Sequence, residues 1–120
     1  MRTITLSNED VAALGEAIGG LWITAEMKAA AWERRYGRFR RTDRRIIREE
    51  EARAATFRRI YFCVTGLELP GFDGARCLGP ARTIGVKTYP PMWTPSRAAA
   101  YRDELLQQVR EALRAPEGAS

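Results

Sequence analysis

ERRYGRFRRTDRRIIREEEARAATFRR, residues 33–59, is the stretch whose reading decides the fold. It holds eleven of the eighteen arginines, so it is the main charged surface of the chain. An apolar stripe of Trp32, Tyr36, Phe39, Ile46, Ile47 and Phe57 runs along it, so it also has the pattern of a helix. A single helix over residues 25–64 would be about 60 Å long. A compact chain of 120 residues has a radius of gyration of only about 14 Å. Either the helix breaks, or it protrudes and pairs with a second copy as a homodimer.

Spacings of three and four from Trp32 reach Tyr36, Phe39, Asp43, Ile46, Glu50, Arg53, Phe57, Ile60 and Val64. Three charged positions make a poor continuous coiled-coil seam. Gly37 weakens its turn, and Thr42 and Asp43 are residue types that cap a new helix. The sequence therefore predicts a break within residues 37–43. A helix over 44–65 follows, burying Ile47, Ala54, Phe57, Ile60, Tyr61 and Val64, with Gly66 as its stop. Helical spacing assigns Trp32, Tyr36 and Phe39 to the core.

Toward the N-terminus, residues 2–6 (RTITL) alternate like a short strand. Ser7 and Asp10 form a capping-box pattern ahead of Val11, Leu14, Ile18 and Leu21. Gly19 and Gly20 are expected to end that helix, and Thr24 to cap the next. Beyond Gly66 the texture changes. Five glycines and four prolines within residues 66–91 exclude a long helix. A strand is expected within residues 82–89 (RTIGVKTY), pairing with residues 2–6, and a third short strand at 67–69. Thr94 and Pro95 then open a last helix with Ala98, Tyr101, Leu105, Val109, Ala112 and Leu113 on its apolar face. The expectation is an α+β fold, mainly α. It has three to four helices, a small two- or three-stranded antiparallel sheet, one compact domain over residues 1–115 and a frayed tail over 116–120.

The chain contains no histidine, which removes the usual general base near neutral pH and a common zinc ligand. Cys63 and Cys77 lie fourteen positions apart and do not form a zinc motif, and no glycine-rich loop has a phosphate-binding pattern. Cys63, in an apolar run, is read as an inert core residue. Cys77, beside Arg76 in a glycine-rich loop, is the more reactive candidate. Glu49, Glu50 and Glu51 point about 100° apart on a helix. They are expected to pair with Arg45, Arg53 and their neighbours rather than to converge as a catalytic pair. No catalytic residue, metal or cofactor is assigned, and no enzyme activity is expected. No apolar run reaches the length of a membrane span, and no secretory leader is recognisable, so a cytoplasmic protein is expected.

What remains is the charge. The net +5 is a local excess: eight arginines against Glu33 and Asp43 within residues 33–48. Codon bias in a GC-rich genome and a solvated helix face are the bland explanations. The functional one is an anion-facing surface of Arg34, Arg38, Arg41, Arg44, Arg45 and Arg48, aligned along one side of a helix. Tyr89, Met92 and Trp93 form a second candidate contact surface, or fold back to plug the core. The reading is a small interaction protein, such as an inhibitor, adaptor or accessory factor. It would grip an acidic protein surface or nucleoprotein through these arginines, and a phage or mobile-element origin fits such a protein. Sequence-nonspecific nucleic-acid binding is the alternative, and a helical oligomeric structural protein the third.

Overall fold

A computed structural model describes residues 2–115. Helix α1 spans Asn8–Tyr36, α2 Arg41–Thr65 and α3 Pro95–Arg114. Between α2 and α3 lie a 3-10 turn, Gly74–Cys77, and a two-stranded antiparallel sheet of β1, Arg82–Ile84, and β2, Lys87–Tyr89. The architecture is mainly α with a small sheet, as expected, and the helices among the described residues number three. No helix there is long and apolar enough to cross a membrane. The tail expected over residues 116–120 lies outside the described residues.

The start of α1 follows the sequence. Asp10 N donates to Ser7 Oγ at 3.1 Å, and Ser7 N donates to Asp10 Oδ2 at 3.2 Å, closing the capping box. The expected stop at Gly19 and Gly20 is wrong, because α1 runs through both. Gly19 is there for close packing. A Cβ at that position would lie 3.1 Å from Val109 Cγ1, so glycine lets α3 approach the α1 backbone. Thr24 is not a cap either: its hydroxyl donates to Gly20 O at 2.9 Å inside the helix.

The break in the opening stretch does form. Gly37, at φ 72, leaves α1 in a conformation that a side chain would resist, and its N–H donates to Glu33 O at 2.8 Å. Arg40 occupies the N-cap of α2, so that helix begins at Arg41 rather than Arg44. Asp43 does not cap because it is buried and engaged elsewhere. Its carboxylate accepts from Trp32 Nε1 at 3.0 Å and from Arg40 Nε at 2.6 Å. Glu50, another charged seam position, is likewise buried and paired, with Lys28 at 3.3 Å and Arg53 at 3.0 Å. The charges that spoil a coiled-coil seam are thus the polar contacts that fasten α2 back onto α1 as an antiparallel hairpin. At the far end Gly66, left-handed at φ 73, stops α2 as expected.

Helix α1 is central. Trp22, Ile23 and Ala25 from α1, Ala54 and Tyr61 from α2, and Tyr101, Leu105 and Val109 from α3 build one core. Fully burying a leucine-sized side chain contributes about 1.5–3 kcal/mol. The core positions expected for α2 hold: Ile47, Ala54 and Tyr61 are buried, and Phe57, Ile60 and Val64 are partly so. On α3, Tyr101, Leu105 and Val109 are buried while Ala112 is exposed. Thr94 takes the N-cap position but its hydroxyl turns back to Met92 O at 3.4 Å.

The sheet corrects the sequence reading. Residues 2–6 form no strand, and the segment 82–89 folds on itself, pairing Arg82 with Tyr89 and Ile84 with Lys87. Gly85, at φ 63, takes the first turn position and Val86 has no positive φ, which suits the tight turn of a two-residue hairpin. A hairpin satisfies its own backbone locally, so no distant partner is needed. Residues 67–69 form no strand either. Leu69 is buried, and Arg58 donates to the carbonyls of Leu69 and Pro70 at 3.0 and 2.9 Å.

Candidate functional site

The arginines gather where α1 turns into α2, but the helix break divides them by role. Arg34, near the end of α1, donates to Pro91 O and ties the hairpin corner to the loop before α3. Arg38, in the corner itself, is a staple: its Nε meets Glu33 Oε1 at 2.5 Å and its Nη2 meets Glu51 Oε1 at 2.8 Å. The hydrogen bond from Arg38 holds the Glu33 carboxyl below the usual range, and the two carboxylates push the Arg38 guanidinium upward. These two arginines therefore serve the fold.

Arg41, Arg44, Arg45 and Arg48 differ. All four are exposed on the outer side of α2, where with Thr42, Glu49 and Ala52 they line an open depression of about 760 Å³. Arg45 reaches Glu49 only at 3.8 Å. Among the described residues, no carboxylate oxygen lies within 4.0 Å of Arg41, Arg44 or Arg48. Four guanidiniums against one glutamate form a surface of one sign, available for bidentate contact with carboxylate or phosphate.

Aromatic residues at the corner complete this surface. Trp32 is half-buried, with its ring centroid 4.9 Å from that of Tyr36. The guanidiniums of Arg35 and Arg40 lie 5.3 and 5.7 Å from the Tyr36 ring centre, within cation–π range. Phe39 is not in the core: it is 95% exposed, and Tyr36 is exposed as well. The core assignment failed because the helical spacing that supported it ends at Gly37, three residues after the last turn of α1 begins. The signal that would have found Phe39 is that same glycine, taken together with the arginines on both sides.

The second surface is split too. Trp93 is half-buried against the core and bridges to Leu78, with Gly79 N donating to Met92 O at 2.8 Å. It is the plug. Tyr89 and Met92 are exposed, and with Ile84, Arg82 and Arg97 they border a depression that Trp93 floors. Val86 stands fully exposed at the hairpin turn.

The cysteine assignments are reversed. Cys63 is exposed on α2, because its position in the apolar run points away from α1. Cys77 is buried, its thiol donating to Met27 Sδ at 3.7 Å, and burial pushes that thiol's pKa up. Of the three glutamates, Glu49 and Glu50 meet Arg45 and Arg53 as expected, while Glu51 meets Arg38 across the corner. Compared with protein-family models, curated proteins and solved structures, the chain matches none of them.

Proposed function

We propose that this chain is a non-enzymatic binding protein that grips the acidic surface of a larger protein or nucleoprotein through the outer face of α2. The observation that carries the reading is the set Arg41, Arg44, Arg45 and Arg48, exposed and almost free of internal carboxylates, with Phe39 projecting at its head. Arginine and an exposed aromatic ring are the side chains that most often dominate binding energy at protein interfaces. An inhibitor, adaptor or accessory factor needs no more than this. Two cysteines without a disulfide fit a reducing compartment such as the cytoplasm.

The test is a triple substitution, Arg41→Glu, Arg44→Glu and Arg48→Glu, which leaves the internal ion pairs untouched. Wild-type protein should capture a defined partner from its native cell or host, and the triple variant should lose it by about 100-fold or more in affinity. Circular dichroism should show the helices unchanged. Equal capture by the variant overturns the reading. Phosphate is the second ligand, favoured because the row is arginine alone, whose planar fork suits phosphate as well as carboxylate. That reading requires a gel-shift complex whose affinity falls steeply with salt.

A further inference from the structure

Helix α1 is apolar around most of its circumference. Between residues 11 and 31 its charged side chains are Glu16, Glu26 and Lys28. Glu16 meets Arg110 at 2.6 Å, Lys28 meets Glu50 at 3.3 Å, and Glu26 lies in the field of Arg58. A helix with that pattern is normally buried on every side. Three sides of α1 are covered. Helix α2 joins it at Trp32 and Lys28, α3 at Gly19 and Glu16, and the loop before the sheet at Met27 and Ala30.

The fourth side is open. Asp10, Leu14, Ala17, Leu21, Thr24 and Lys28 recur at spacings of three and four and fall within an arc of about 80°. That arc lies nearly opposite Gly15 and Gly19, which face α3. All six residues are exposed, with Leu14 at 42% and Leu21 at 51%. The Thr24 hydroxyl is already spent on Gly20 O, so covering it strands no polar group.

We propose that this stripe is the two-fold interface of a homodimer, with α1 packed antiparallel on α1 of a second copy about an axis near residue 19. The stripe is complementary to itself in that orientation, as an isologous contact requires. Asp10 faces Lys28 of the second copy, Leu14 faces Thr24, and Leu21 faces the small Ala17, at both ends of the axis. Each large side chain meets a small or β-branched one, and each terminal charge meets its opposite. A neighbouring protein of another kind has no reason to share this internal symmetry.

Area and shape agree. A compact 13.5 kDa monomer exposes about 6,500 Å² by the usual scaling. This chain exposes 8830 Å², an excess of about 2,300 Å². A specific dimer buries about 600–1,000 Å² per partner. The radius of gyration is 17.6 Å against the ~14 Å of a compact domain. The smallest dimension is 19 Å, so α1 has no further layer on its open side.

The test uses the full chain in sedimentation equilibrium. Wild-type protein should have twice the single-chain mass at about 50 µM. Leu21→Arg, and separately Ala17→Arg, should each give a monomer with unchanged helicity, since both positions are exposed within one chain. Asp10→Lys and Lys28→Asp should each weaken the dimer by about tenfold or more. Mixing those two variants should restore it, because both cross-axis charge pairs then regain opposite signs. A wild-type monomer at about 100 µM overturns the proposal. So does a dimer that survives Leu21→Arg, or a mixture that fails to recover. The arginine face of α2 is not part of this stripe, so loss of partner binding and loss of the dimer are separable.

Discussion

The two ends of the α1–α2 hairpin are fastened in opposite ways. At the end where α3 packs, contact is apolar and close: Gly19 admits Val109, and Trp22, Tyr61 and Leu105 are almost wholly removed from water. At the corner end, contact is polar and directional: Trp32 to Asp43, Arg38 to Glu33 and Glu51, Lys28 and Arg53 to Glu50. Helix α3 does not reach the corner, so little apolar surface can be buried there. Hydrogen-bonded charges hold the geometry instead, and the remaining arginines stay in solvent. The fold is secured at one end and the candidate surface is displayed at the other.

Three substitutions probe this contrast. Trp22→Ala removes the largest fully buried side chain and should cost about 3–5 kcal/mol in urea unfolding. A loss below about 1 kcal/mol would place the stabilising contacts elsewhere.

Asp43→Asn addresses the corner. The Trp32 hydrogen bond, helped by Arg40, holds the Asp43 carboxyl below its ordinary pKa. A group depressed on folding stabilises the native state above its unfolded pKa, about 3.9 for aspartate. That contribution is lost as pH falls through the lower folded value. Wild-type protein should therefore be the more stable near neutral pH, and the gap to the variant should close in acid. A constant gap from pH 7 to pH 2 would mean that the charge of Asp43 does not matter to the corner.

Phe39→Ser should have the smallest effect on stability, within about 0.5 kcal/mol, since the side chain touches little. Its effect should fall on partner capture, as with the triple arginine variant. A marked loss of stability would show that the corner depends on Phe39 after all.

Much of this hairpin was legible in the sequence, in particular where chemistry is local. The Ser7–Asp10 box, the break after Tyr36 and the stop at Gly66 depend on neighbouring residues, and all three formed. Errors came where one residue type serves two purposes. Gly19 can end a helix or admit a neighbour, and only Val109 decides. Asp43 can cap a helix or accept from an indole, and only the position of Trp32 decides. Residues 82–89 can pair with a distant strand or fold at Gly85, and a local turn won over a remote partner.

The candidate surface divides along the same line. The sequence by itself determined that the positive charge is concentrated in residues 33–48, because composition and order are local properties. It also determined that histidine chemistry is absent. Which arginines are available was decided only by the tertiary structure. Arg34 and Arg38 are drawn into contacts with Pro91, Glu33 and Glu51, whereas Arg41, Arg44, Arg45 and Arg48 are left facing water. The difference is one of reach. A guanidinium is taken up when folding brings an acceptor from another element within hydrogen-bond distance, and no sequence spacing encodes that meeting.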